Sequence, residues 1–141
     1  MNVQVTWQGK RRFEAKGDSG HIVSIDAKQD VGGENLGPRP MELLLMGLGG
    51  CTGIDITLIL EKMRIPYHRV DIEISGERAE NPPQKFTEIT LTYHIDAPDA
   101  PWEKVARAVR LSQETYCSAS HSLNAVLHAD LVLNGERATV I

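Results

Sequence analysis

The stretch GPRPMELLLMGLGGCTGIDITLILEKM, Gly37 to Met63, is the only long apolar run in the chain. Between Met41 and Leu60 its only charges are Glu42 and Asp55. A helix made from it has almost no solvent face, so the run predicts a core helix buried nearly all round. Pro40 suits a first helical position, where a missing N–H costs nothing, and Glu42 in the first turn complements the positive end of the helix dipole. Gly47, Gly49, Gly50 and Gly53 each cost roughly 1 kcal/mol against Ala inside a helix. Four of them around one thiol, Cys51, imply that another backbone or a small substrate comes close to this surface.

Around this helix, 141 residues of balanced composition suit one domain with a real core. A formal charge of −4 argues against a nucleic-acid partner, and Lys10-Arg11-Arg12 is too short to form a basic stripe. The first residues lack an apolar core behind a basic flank. The run from 41 to 60 is interrupted by two charges and four glycines, which argues against a membrane span. The expected compartment is therefore a reducing cytoplasm, where a cysteine pair more often signals redox or metal chemistry than a permanent staple.

Before the helix, Val3, Val5 and Trp7 alternate, Phe13 and Ala15 follow, and Gly17-Asp18-Ser19-Gly20 turns the chain into His21–Asp26. This predicts a three-stranded meander. The Gly- and Asn-rich loop from Asp30 to Pro38 leads to the helix and could rim a site. After the helix, Ile65-Pro66 forces a stop. Val70, Ile72 and Ile74 form one alternating strand, and Phe86 to Ile95 forms its antiparallel partner, half solvated and turned by Asn81-Pro82-Pro83. Asp99-Ala100-Pro101 caps a helix carrying Trp102, Val105, Val109 and Tyr116 at helical spacing. Leu123, Val126 and Leu127 suggest a short helix after Cys117, and a strand closes the chain. The order β-β-β-α-β-β-α-α-β is an α+β fold of antiparallel sheets around a long buried central helix.

Taken alone, Cys51 reads most simply as a small buried hydrophobe. The second cysteine, Cys117, in Glu-Thr-Tyr-Cys-Ser-Ala-Ser-His, changes that balance. Three segments occur in order: Pro38 to Ile56 with its Gly-Gly-Cys; Gly76-Glu77-Arg78 with Pro83 and Phe86 to Tyr93; and Tyr116-Cys117-Ser118-Ala119-Ser120. With these the chain resembles the OsmC/Ohr family of peroxide-reducing thiol proteins over nearly its whole length. Within that family it is most similar to the branch with Gly-Gly-Cys at the first thiol.

The resemblance implies an intertwined homodimer and a thiol peroxidase that needs no cofactor or metal, acting on organic hydroperoxides or hydrogen peroxide. Cys51 would attack the peroxide, Cys117 would resolve the sulfenic acid as a disulfide, and an external dithiol would reduce it. The two cysteines are then expected close together in space. An ordinary thiol is only about 3% ionised at neutral pH, so the attacking sulfur needs a cation. The family supplies an N-terminal arginine, which Arg11 or Arg12 matches, with Arg39 as a further candidate. The peroxidase branches carry a catalytic glutamate directly after a proline. Here Met41 follows Pro40 and Glu42 comes one later, so Glu42 fits equally the catalytic role and that of a first-turn carboxylate.

Other readings of the same residues remain. Gly47 to Gly53 suggests a phosphate loop, but it lacks the Lys-Ser/Thr ending and the third fingerprint glycine. His121, one helical turn after Cys117, could join Cys51 and Cys117 as an open three-ligand metal site. A non-catalytic module, with the glycine-rich helix lining an apolar pocket, is the third.

Overall fold

The computed structural model describes residues 1–141 and is α+β, as the sequence predicts. By its internal contacts the chain forms two units, Met1–Leu44 and Leu45–Ile141.

In the first unit, β1 (Val3–Gly9), β2 (Arg12–Gly17) and β3 (Ile22–Ile25) form the expected antiparallel meander, with Val5 opposite Ala15 and Trp7 opposite Phe13. Gly9 and Lys10 turn the first hairpin at positive φ. The loop that follows is built on a carboxylate. Asp26, 1% exposed, accepts hydrogen bonds from the backbone N–H groups of Ala27 (2.8 Å), Glu34 and Leu36 (both 3.1 Å). Burial works against its charge, but these three donors and Arg39 hold its carboxyl below the usual range. A Cβ on Gly37 would meet the Ser24 carbonyl oxygen at 2.5 Å, so only glycine lets the loop close this tightly. Arg39 completes it, donating to the Gly37 carbonyl (2.9 Å) and to Asn35 Oδ1 (2.8 Å).

The helix α1 (Pro40–Lys62) starts at Pro40, as its sequence predicts. Its buried residues, Leu48, Thr52, Ile56 and Leu60, recur every fourth position and make a single stripe. Burial all round is not found: Met46, Ile54 and Leu58 are each more than half exposed. One chain covers only the stripe. Two of the four glycines meet the expected close approach, but from the neighbouring sheet. A Cβ on Gly49 would lie 2.8 Å from Ile74 Cδ1 and one on Gly53 3.3 Å from Ile72 Cδ1, whereas Gly47 and Gly50 face open space. The helix is long and apolar enough to cross a membrane by length and composition. Its buried stripe lies against the second unit's core, with Gly49 and Gly53 seated on these isoleucines.

The second unit's sheet runs β4 (Arg69–Arg78), β5 (Phe86–Asp96), β6 (Val126–Leu133), β7 (Glu136–Thr139). It is mixed rather than antiparallel, because β6 pairs in parallel with β5, Tyr93 lying opposite Leu131. Such a pairing needs a crossover, supplied here by α2 (Trp102–Leu111), a π-turn (Ser112–Tyr116) and α3 (Ser118–Ser122). Ile89, Leu91, Tyr93 and Ile95 of β5, Val105 and Val109 of α2, and Leu131 of β6 are fully buried together with the α1 stripe.

Three local expectations change. The short helix expected after Cys117 is present as α3, but Leu123, Val126 and Leu127 lie outside it: Leu123 is extended and Val126 starts β6 opposite Glu88, ladder pairing overriding a helical spacing. Asp99 does not cap α2, because it sits at φ 62 and Pro101 holds the N-cap position. Tyr116 leaves the buried face of α2 because the π-turn shifts the register, and it is 58% exposed. The closing hairpin also adds a strand, β7, beyond the predicted order.

Candidate functional site

Cys51 lies half-buried on α1, and Cys117 is fully buried at the N-cap of α3. The π-turn places the second thiol. The Cys117 N–H donates to the Ser112 carbonyl at 2.7 Å, closing the turn, and its sulfur accepts from the Ser120 N–H at 3.4 Å. Burial pushes the Cys117 thiol up from its ordinary pKa. Ser120 pulls the other way, and the adjacent Cys51 adds to the rise. Both cysteines are free thiols, and their two sulfurs and a carboxylate oxygen of Asp55 lie within 4.8 Å of one another.

Asp55 was not foreseen as a site residue. It stands one helical turn after Cys51, so both side chains leave the same face of α1. Ser112 Oγ donates to its Oδ2 at 3.0 Å. Behind Ser112 is a buried polar cluster: Thr52 Oγ1 lies 2.8 Å from Ser112 Oγ and 2.9 Å from Tyr93 Oη, and Gln113 Nε2 reaches both Thr52 and Tyr93. Burial raises the Tyr93 phenol to about 12, so it stays neutral and keeps its proton to donate.

These bonds can be ordered by counting donors. An ionised Asp55 only accepts, so the Ser112 hydrogen points to it. Ser112 must then accept from Thr52, and Thr52 from Tyr93. The two amide hydrogens of Gln113 feed Thr52 and Tyr93 at the head of the chain. Every hydroxyl thus points toward Asp55. The Gln113 Oε1 atom is buried without a partner.

A cavity of about 430 Å³ opens beside Asp55, walled by Leu58, Ile59, Met63 and Leu111, with Tyr116 and the Lys62 ammonium at its side. A carboxylate and an ammonium in an otherwise apolar space could orient a ligand with an apolar body and a polar end.

Arg11, Arg12, Arg39 and Glu42 belong to the first unit and the two thiols to the second. Glu42 Oε1 accepts the Arg39 N–H at 2.9 Å, the contact of a first-turn carboxylate with an orphan helix donor. His121 is exposed and outside the thiol cluster. Asp55 stands where the Cys/His metal reading placed His121, making a two-sulfur, one-oxygen donor set. Two sequence signals pointed to the cluster: Asp55 is the lone charge in the middle of an apolar run, and Thr52 is the lone polar residue in its buried stripe.

Two free thiols held together across an α+β fold define a dithiol protein, and comparison with known proteins says of which kind. The family model for OsmC-like proteins matches residues 32–131. Protein YhfA of Escherichia coli is 36% identical over 120 residues, which cover 85% of this chain and 87% of that protein. The chain belongs to the OsmC-like family. A crystal structure of a hypothetical protein from Aquifex aeolicus is 28% identical, with a TM-score of 0.82, covering 94% of this chain and 95% of that one. An organic hydroperoxide resistance protein from Legionella pneumophila shares the fold at a TM-score of 0.68 and 17% identity, covering 94% of this chain and 96% of that one.

Proposed function

We propose that the chain is a cytoplasmic thiol peroxidase that reduces organic hydroperoxides or hydrogen peroxide. The observation that carries this is the pair of free thiols with sulfurs within 4.8 Å, one half-buried and one wholly buried. Cys51, the reachable one, attacks the peroxide: thiol and hydroperoxide give sulfenic acid and alcohol. Cys117 then closes the disulfide with loss of water, and an external dithiol reopens it. The cavity beside Asp55 is a suitable approach for a peroxide with an apolar body. Arg11 or Arg12 is the cation that stabilises the Cys51 thiolate, and Glu42 orients it.

The active form in this reading is an intertwined homodimer. Gly47, Gly50, Ile54 and Leu58 repeat at helical spacing along α1 and stay uncovered, a face suited to a second copy of itself. Sedimentation velocity should show a dimer that Ile54→Lys dissociates; a monomeric parent would refute this part.

The test of activity is stopped-flow decay of an alkyl hydroperoxide with a dimedone-type trap. Cys51→Ser should stop consumption. Cys117→Ser should allow one turnover and leave a trappable sulfenic acid, and Arg11→Met or Arg12→Met should slow the first step about tenfold or more. Parent-rate consumption by Cys51→Ser would overturn the assignment. The cavity also favours a second reading, a non-catalytic module for an apolar small ligand, which predicts no consumption by any form.

A further inference from the structure

Closing the disulfide poses a proton problem. Cys117 is fully buried and its thiol is held in the protonated form by its surroundings, yet only a thiolate attacks a sulfenic acid. The hydroxide that leaves Cys51 needs a proton in turn. We propose that Asp55 carries that proton, taking it from the Cys117 thiol and delivering it to the oxygen departing from Cys51.

The step balances without any other reagent. The Cys117 sulfur forms the S–S bond as the S–O bond of the Cys51 sulfenic acid breaks. The bonding pair leaves with oxygen as hydroxide, Asp55 gives it the Cys117 proton, and water departs. One sulfenic acid and one thiol become one disulfide and one water, and Asp55 ends ionised as it began.

Three observations support this carrier. Its carboxylate lies within 4.8 Å of both sulfurs, so one group can reach donor and acceptor. The oriented chain from Tyr93 through Thr52 and Ser112 ends on Asp55 Oδ2 and holds the carboxylate in place beside the two thiols. The chain occupies that oxygen and leaves the carboxylate's remaining acceptor capacity for the thiols. The titratable groups on the elements around the two thiols include Asp55 from α1, Tyr93 from β5, and Tyr116 and the exposed Glu114 from the π-turn. From α3 there is only His121, which is exposed. Of these, Asp55 is the one that lies with both sulfurs.

The inference rests on the peroxidase reading, so its test needs an arm without peroxide. In the first arm, alkyl hydroperoxide is added to parent and Asp55→Asn, and sulfenic acid and disulfide are followed separately by trapping and intact mass. Disulfide closure should slow about a hundredfold at pH 6, far more than sulfenic acid formation. The variant should then recover about tenfold per pH unit as hydroxide replaces the missing base, while the parent stays flat. In the second arm, Cys51 is converted to a mixed disulfide with 5,5′-dithiobis(2-nitrobenzoate), and release of the second thionitrobenzoate reports Cys117 attack. The same slowing and the same pH slope are expected.

Closure and release within about twofold of the parent across pH 6 to 9 would overturn the role of Asp55. Slowed release in the second arm with no sulfenic acid in the first would sink the peroxidase reading alone and leave Asp55 as the base of a dithiol exchange. Should Asp55→Asn fail to fold, the parent's closure rate in heavy water decides. A slowing of about twofold supports a proton in flight, and an unchanged rate refutes it.

Discussion

The two units of the chain use apolar side chains in opposite ways. The second unit buries them: its hydrophobic core runs from Leu48 to Leu133 in sequence, with Leu91, Tyr93, Val109 and Leu131 wholly out of water. The first unit has the regular alternation of a half-buried sheet, yet Val3, Val5 and Trp7 are all more than half exposed, and its one fully covered residue is a carboxylate, Asp26. Alternation in a sequence states which face of a strand is apolar, not what covers that face. In the second unit the cover is α1 and the crossover. In the first, the structure of its loop comes from hydrogen bonds converging on Asp26, and the apolar strand face stays exposed.

Substitutions can break or sharpen this contrast. The largest effect is expected in the second unit's core, where Leu131→Ala should cost about 2 to 5 kcal/mol in urea unfolding through lost burial and an unfilled cavity. A cost near zero would mean that the core is not where stability resides. In the first unit the largest effect should fall on Asp26 rather than on an apolar residue. Asp26→Asn should lower the melting temperature at neutral pH. Because folding depresses this carboxyl, its contribution is present above the ordinary aspartate range and is lost as pH falls through its folded value. Parent and variant melting curves should therefore converge in acid; a difference that persists or grows there would contradict the hub.

The smallest effect should be that of Val5→Ala, within about 0.5 kcal/mol at concentrations where the chain is monomeric. If a second copy covers this strand, the cost should grow as protein concentration rises into the dimer range. A large cost independent of concentration would show that the first unit has a core of its own.

What was legible in the sequence follows the same division. Local signals were sufficient for the meander, the start of α1 at Pro40 and the β4–β5 pair, because alternation, proline and turn residues act over a few positions. A closing strand was expected, but the start of β6 at Val126 and its parallel pairing were missed, because Val126 and Leu127 have a spacing that suits a helix and their partners Glu88 and Ile89 lie far back in the chain. The Asp55 cluster was missed for a related reason. Thr52 to Tyr93 and Asp55 to Ser112 are hydrogen bonds between residues 41 and 57 positions apart, which no window of sequence contains. The cysteines were found because two thiols in one chain already suggest a pair.

That pair is the central claim, and intact-protein mass spectrometry tests it most directly. After one equivalent of an alkyl hydroperoxide, the reduced parent should lose the mass of two hydrogens per chain, and a peptide map should join Cys51 to Cys117. Addition of a dithiol should restore both the mass and two titratable thiols. An unchanged mass with both thiols still free, or oxygen added to Cys117 while Cys51 remains a thiol, would contradict it.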